Sequence, residues 1–470
     1  MEHTAVGVLL ALAASGTSVY AATNEELQKQ IELLQETVEA LKQQVESQNA
    51  ALPESVAAMQ DIEGVRADLE NFKFDESRLR ERNTVKSIRN STLFGVVQVR
   101  GQAQTESIQA SSDSKNSFDI PTALLGLRGN LYRDYVDGKN LDYQFSFTYG
   151  KRSTESTARS DFSLADAFLR YNFFSTNGGP EIPKLNITFG QQRLPFGLEA
   201  QAPEDLRPTI NLSQASIRSG LFNRQVGAVV RGDFMPYVDY SANYRAPLLE
   251  YAFGVVNGNV SNQLDDNNSK GILARAAFTL PVDYASWLRE LKIGGSIYKN
   301  YKNLRLADGS TKNNVTNDRY GVDVFYNHAP FGFTYEYIHG RDDFQVGNSN
   351  QIKEAKSEGH TVTLFYTFGD QFYNSIKSVA KFDDWHPKSI QPFFRYDYFN
   401  PNDSNETLGG NRGNGDDTVT TYTLGLNWFF AQTTKFQLEL SHRDFETETT
   451  LLGAERKDDF ALLAQFQYTF

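Results

Sequence analysis

The sequence predicts an all-β protein: a sixteen-stranded antiparallel transmembrane β-barrel with an N-terminal α-helical coiled coil. Three observations carry that expectation. First, the terminal stretch Phe460 to Phe470 reads F-A-L-L-A-Q-F-Q-Y-T-F, with Phe460, Leu462, Ala464, Phe466, Tyr468 and Phe470 on one strand face. Ala461, Leu463, Gln465, Gln467 and Thr469 fall on the other face, and the same alternation recurs along most of the chain. Second, the longest apolar run, Ala5 to Ala14 with Gly7 inside it, falls far short of the roughly 20 residues a membrane-spanning helix needs. A barrel escapes that test because only every second residue must face lipid. Third, 34 Phe and 23 Tyr stand beside only 3 Trp and 3 Met, and the aromatic residues gather at strand ends, where a barrel places its interfacial girdles.

Composition narrows the function. The chain has no cysteine, which removes disulfides, thiolate nucleophiles and thiolate metal sites and suits an oxidising compartment. A formal charge of -12 argues against nucleic acid as partner, because phosphate backbones select basic surfaces.

Residues 1–21 read as a secretory signal. An apolar centre from Ala5 to Ala14 is followed by small residues, with Val19 and Ala21 placed before a cut at Ala21/Ala22, although Met1-Glu2-His3-Thr4 carries no Lys or Arg. Residues 22–52 read as a coiled coil: Leu27, Ile31, Leu34, Val38, Leu41, Val45 and Leu52 are spaced by 4, 3, 4, 3, 4 and 7, with Gln48 the polar intruder in the seam. Ile31, Val38 and Val45 at one core position with Leu27, Leu34 and Leu41 at the other follow the rule for a parallel dimer. A single amphipathic helix lying on the barrel is the alternative. Pro53 ends that helix. Residues 53–92 are a charged periplasmic linker or a partial plug, with a second helix expected around Val56 to Leu69.

The barrel is expected over residues 93–470. Its sixteen strands begin near residues 93, 120, 140, 163, 184, 222, 249, 271, 291, 318, 331, 358, 389, 417, 434 and 455. An even number lets an antiparallel sheet close, and closure leaves no unpaired N–H or C=O in hydrocarbon. Tyr422, Leu424, Leu426, Trp428 and Phe430 alternating with Thr421, Thr423, Gly425, Asn427 and Phe429 show the pattern plainly, as do Leu141, Tyr143, Phe145, Phe147 and Tyr149. Polar clusters at Asn257 to Lys270, Ala307 to Asp318 and Asn400 to Asp417 read as long outer loops, and His328-Ala329-Pro330-Phe331 as an inner turn. Gln371 to Lys388 fits neither description.

Residues 184 to 232 carry K-L-N-I-T-F-G-Q-Q-R-L-P-F-G-L-E, a loop, and then L-F-N-R-Q-V-G-A-V-V-R-G. This resembles the phosphate-selective porin O/P family, on Gly190, Gln191, Pro195, Phe196, Gly197, Leu198, Glu199, Arg224 and Gly227. Leu164 to Tyr171, Leu249 to Gly258 and the terminal aromatic add to the resemblance, which spans about residue 93 to 470. It implies a trimeric channel in the bacterial outer membrane whose third outer loop folds inward to narrow the pore, and a short coil would follow that symmetry. One departure stands out: family members that select phosphate carry an arginine-dense second strand, whereas Ala123 to Gly129 keeps only Arg128.

A channel needs no catalytic group and no cofactor; it replaces lost hydration with charged lumen groups. With aromatic and aliphatic residues placed outward, Arg100, Arg128, Arg170, Arg231, Arg275, Arg395 and Arg443 point into the lumen, as do Asp142, Asp166, Asp323, Glu336, Asp397 and Glu439. Each arginine either meets permeant solutes or braces the barrel in a cross-lumen ion pair. The inward loop, Pro195 to Phe222, carries Arg207 and Arg218, with Arg193 and Arg224 at its roots, against Glu199, Glu204 and Asp205. Arg193, Glu199, Arg207, Arg218 and Arg224 are thus the expected constriction, with Arg218 and Arg224 favoured as an anion fork. Phe168, Phe325, Phe365 and Phe393, inward by the same parity, would suit a sugar-conducting or general channel instead. The expected partners are outer-membrane lipid, small anionic solutes, two further copies of the chain and, through the coil, the cell wall. The histidines show no ligand spacing, and Asp265-Asp266 and Asp416-Asp417 read as turn chemistry rather than a metal site. No G-x-S-x-G element or Gly-rich phosphate loop is present.

Overall fold

The computed structural model describes residues 36, 38–40, 42–43, 65–73, 91–104, 115–133, 140–151, 160–174, 179–240, 244–263, 265–328, 330–347, 350–369, 386–402, 418–430, 434–451 and 454–470. Residues 1–78 and 79–470 form separate units. In the first, the described residues are helical, including 65–73, which overlap the expected second helix. Of the heptad seam only Val38 is described, helical and 45% exposed. The expected signal and the rest of the coil lie outside the described residues.

The second unit is a closed antiparallel barrel of sixteen spans. In chain order they are β1 (Ser91–Gln104), β2 (Lys115–Arg133), β3 (Asn140–Lys151), β4 (Ser160–Asn172), β5 (Leu185–Gln192), β6 (Gln225–Asp239), β7 (Tyr244–Val256) and β8 (Gly271–Thr279). There follow β9 (Lys292–Lys299 continued by Tyr301–Arg305), β10 (Thr311–His328), β11 (Phe331–Gln345) and β12 (Ile352–Tyr366 continued by Phe368–Gly369). The last are β13 (Ser389–Asn400), β14 (Val419–Phe429), β15 (Thr434–Leu451) and β16 (Ala454–Thr469). Two spans, β9 and β12, are interrupted at Asn300 and Thr367, so eighteen hydrogen-bonded segments make sixteen crossings. Each expected strand start corresponds to one span.

Every span pairs with its chain neighbours, and β1 pairs with β16 from Val96↔Thr469 to Gln104↔Ala461, which closes the sheet. Closure is completed by Gly95 N donating to Phe470 O at 2.9 Å and Phe470 N to Gly95 O at 3.0 Å. Along β14 the burial alternates: Thr421, Thr423 and Asn427 are buried inside, while Tyr422 and Leu424 are 43% and 62% exposed outside. That inversion, polar in and apolar out, is what a lipid-facing barrel requires.

One expected loop is corrected. Ala307 to Asp318 is not a long loop, because β9 and β10 continue as a hairpin paired from Tyr301↔Thr316 to Arg305↔Thr311. The chain reverses over Leu306 to Ser310, with Leu306 N donating to Ser310 O at 2.9 Å and Gly309 at φ 83. Thr311, Lys312, Asn313 and Asn314 are all exposed, so this hairpin lacks the apolar face by which a strand is recognised. His328 and Phe331 do bound a tight turn. Most of Gln371 to Lys388 and of Asn400 to Asp417 lies outside the described residues.

The apolar core sits inside the barrel. Leu194, Phe196, Ala200, Ala215 and Leu221 from the β5–β6 connection pack against Val229, Val256, Leu273, Ile338, Phe399 and Val419 of the wall. Phe196 is fully buried, a gain of about 2–3 kcal/mol from one side chain. Its ring lies on Gly321, where a Cβ would meet it at 2.8 Å.

Candidate functional site

The β5–β6 connection, residues 193–224, is held inside the lumen by its own backbone. Gly197, at φ 54, turns the chain so that its N–H reaches Ser296 Oγ of β9 at 3.1 Å. Leu198 N and Glu199 N then donate to the two oxygens of Glu336 on β11 at 3.2 and 3.1 Å. Farther on, Ile210 N donates to Glu439 on β15, and Gln214 N donates to Asp397 of β13 at 2.8 Å. The wall also donates to loop carbonyls. Gln98 reaches Glu204 O (3.3 Å), Gln467 reaches Asp205 O (3.2 Å), Lys435 reaches Arg207 O (2.7 Å), and Asn427 and Gln437 share Pro208 O (2.9 and 3.1 Å). A buried backbone group without a partner costs about 1–3 kcal/mol, so these wall groups are what lets irregular chain lie in the lumen.

The loop's charges are spent largely on one another and on the wall. Glu204 is clamped by Arg193 and, at 3.4 Å, by Arg224, which also grips Asp166 of β4 at 2.8 Å. Burial pushes the Glu204 carboxyl up, but Arg193, then Arg224 and Arg207, outweigh it and hold it well below the usual carboxylate range. Burial pushes the Arg207 guanidinium down, with Glu204 opposing. Glu199 Oε2 accepts from Ser213 N (2.9 Å) and Oγ (2.6 Å), and its Oε1 lies 3.0 Å from Arg395. Ser213 caps the short helix α1 (Gln214–Arg218) by accepting Ser216 N at 3.1 Å. Arg218, in the last turn, stands 5.5 Å over the Phe399 ring.

The loop separates two cavities. One, of ≈ 520 Å³ on the long-loop side, is lined by Arg100, Arg218, Arg395 and Arg443 together with Asp397 and Glu439. The other, of ≈ 560 Å³ toward the short turns, is lined by Lys184, Arg231, Arg275 and Lys292 with Phe325 and Phe365.

Of the expected lumen arginines, Arg100 pairs with Asp119 at 2.5 Å, Arg275 with Asp323 at 2.8 Å and Arg443 with Asp459 at 2.7 Å. Arg395 lies between Glu199 and Asp397. Arg170 lies 3.7 Å from Asp142, Arg128 stacks 5.2 Å over Phe94, and Arg231 donates to Gln192 (2.7 Å) and to the carbonyl of Arg193 (3.2 Å). The anion fork expected of Arg218 and Arg224 is split, since Arg218 lines the long-loop cavity while Arg224 is bound to two carboxylates. Phe365 and Phe393 are buried against Gly332 and Gly425 of the neighbouring strands, and Phe365 with Phe325 lines the cavity toward the short turns. Counting charges misses Gln98, Asn427, Gln437 and Gln467, which seat the loop; their inward parity was the available signal. Among the described residues no group of three His, Asp or Glu is placed to hold a metal ion; Asp265 pairs with Lys270, and Asp416 and Asp417 lie outside those residues.

A closed sixteen-stranded barrel with apolar outer faces and an inward-folded polar loop is an outer-membrane channel. The chain belongs to the phosphate-selective porin O and P family, whose model matches residues 97–470. A comparison with curated proteins finds no match. Among solved structures, OmpF of Salmonella typhi in complex with daunomycin is 13% identical with a TM-score of 0.51, covering 81% of this chain and 98% of that one. The anion-selective porin from Comamonas acidovorans is 12% identical at a TM-score of 0.48 (81% and 99% covered). The outer-membrane channel DcaP of Acinetobacter baumannii is 13% identical, also at 0.48 (81% and 97%). At these identities the likeness to OmpF is one of fold.

Proposed function

We propose that the chain forms a water-filled channel through which small solutes diffuse passively, with a preference for anions that includes phosphate. The observation that carries the preference is the long-loop cavity, where Arg100, Arg218, Arg395 and Arg443 face Asp397 and Glu439 beside the loop. Guanidinium forks replace the hydration of an oxyanion better than any other side chain. The zero-current potential of the purified protein in a planar bilayer under a KCl gradient tests this reading. An anion-selective potential that Arg218→Ala shifts toward zero supports it; a cation-selective one overturns it.

A second reading, a general or sugar-conducting channel, is favoured by the pairing of Arg100, Arg395 and Arg443 with carboxylates, which leaves little net field. Under it the potential stays near zero and added phosphate leaves the chloride current unchanged. In both readings the functional unit is a homotrimer, as the family resemblance implies. A contact of residues 22–52 with the cell wall is proposed as a second role, which a deletion of 24–52 tests by envelope attachment at unchanged conductance.

A further inference from the structure

The cavity toward the short turns has an uneven distribution of charge. Four of its carboxylates are already engaged. Asp233 is held by Arg245 at 2.7 Å, Glu250 by Lys292, Glu199 by Arg395 at 3.0 Å, and Glu336 by the N–H groups of Leu198 and Glu199. Arg207 donates to the Ala202 carbonyl at 3.4 Å and feels Glu204 beside it, and two further cations are paired with no carboxylate among the described residues. Arg231 meets only neutral oxygens, those of Gln192 and the Arg193 carbonyl, and Lys184 is exposed on the adjoining stretch, its main-chain N–H donating to Asp233 at 2.9 Å while its ammonium is paired with no carboxylate among the described residues. Arg231 pairs across the sheet with Asn186, so Lys184, Asn186 and Arg231 sit on one patch of the inner wall. The Asn186 Oδ1 is buried without a partner, and a half-turn of that amide presents a donor in its place.

Part of the lining is apolar. Leu198 and Leu206 of the loop and Phe325 and Phe365 of the wall belong to the same cavity, and Leu206 is 42% exposed to it. A naked inorganic anion gains nothing from such a surface. A carboxylate carrying a ring or short chain satisfies both parts, its head on Arg231 and Lys184 and its body on the apolar lining.

We propose that this cavity, on the far side of the constriction from the arginine-lined one, is a binding station for amphipathic monocarboxylates of benzoate size. The proposal deepens the anion-channel reading and rests on it. Chloride current through single channels is recorded while benzoate, inorganic phosphate or benzyl alcohol is added to both chambers. Benzoate reduces the current and benzyl alcohol at equal concentration does not, while the reduction by phosphate belongs to the long-loop cavity and is relieved by Arg218→Ala. Arg231→Ala and Lys184→Ala each weaken the benzoate block about tenfold, the loss of one charge-assisted contact, whereas Arg218→Ala leaves it intact. Isothermal titration of the detergent-solubilised variants reads the same loss without current, and the heat-modifiable mobility of the folded barrel shows that each variant has folded. Benzoate block that survives the Arg231→Ala/Lys184→Ala double variant, or phosphate block that this double variant weakens as much as it weakens benzoate block, overturns the proposal. The zero-current potential is read separately, so a failure of anion preference is distinguishable from a failure of this site.

Discussion

Glu336, on β11, accepts the main-chain N–H of Glu199 at 3.1 Å through one carboxylate oxygen and that of Leu198 at 3.2 Å through the other. One wall side chain thereby fixes the turn from which the loop enters the lumen. The arrangement requires a residue without a Cβ at 197: φ there is 54, and a Cβ would fall on the Glu336 carboxylate. Gly197→Ala is therefore expected to cost about 1–2 kcal/mol for the left-handed backbone alone, and more for the displaced carboxylate. Its channel should show a larger and noisier single-channel conductance than the wild type. Unchanged conductance would mean that the loop does not set the resistance.

Glu204 is the charge on which the loop's roots converge, between Arg193 and Arg224. Because its carboxyl is held far below 4.5 by Arg193, Arg224 and Arg207 against burial, its contribution to loop docking is fully present above 4.5. It is lost only as the pH falls through the much lower folded value. The hold of Glu204 on the loop's roots should accordingly be the same at pH 4.5 and pH 7. Glu204→Gln leaves the buried Arg193 guanidinium without its carboxylate at every pH and Arg224 with Asp166 alone, a loss of about 3 kcal/mol in docking. Its conductance should rise at pH 7, as recorded in planar bilayers.

The barrel was legible in the sequence because lipid imposes period-two alternation, and each of the sixteen expected starts falls inside its own strand or within three residues of it. What blurred the boundaries was water: above the lipid belt, Thr311 to Asn314 need no apolar face, so the hairpin read as a loop. The interior is less legible for a different reason. Glu439 and Ile210 are 229 residues apart and meet only because the barrel closes around the loop, and no local spacing announces such a pair. Parity marked the arginines as inward, but only the fold shows that Arg100, Arg275 and Arg443 spend their charge on Asp119, Asp323 and Asp459.

At the β8–β9 turn, Glu290 adopts φ 66 and has a buried Oε2 with no partner. Burial, opposed by Arg289 and Lys292, pushes its carboxyl up to about 7 from 4.5. Here the folded state binds the proton more tightly, so stability is lost as the pH rises from 4.5 to about 7 and is constant above that. Glu290→Gln, which cannot ionise, should match the wild type in urea unfolding at pH 4. At pH 8 it should exceed the wild type by about 1–2 kcal/mol, allowing for solvent screening. A variant no more stable than wild type at pH 8 would show that the turn solvates this carboxylate.

Closure of the barrel depends on a glycine and an aromatic ring. Phe470 exchanges both backbone hydrogen bonds with Gly95, and its ring covers that residue so closely that a Cβ on Gly95 would lie 2.5 Å from it. Deleting Phe470 removes the two bonds at the β1–β16 seam, where lipid offers no replacement, and should cost about 1–3 kcal/mol for the exposed pair of groups. Gly95→Val keeps the bonds but evicts the ring, and should cost less. The readout is the temperature at which the folded, fast-migrating form converts to the unfolded one on a gel. The order wild type, Gly95→Val, Phe470 deletion is expected. If the glycine variant were the less stable of the two, the clash of its side chain with the Leu124 carbonyl, which a Cβ would meet at 2.8 Å, would outweigh the loss of the backbone pairs.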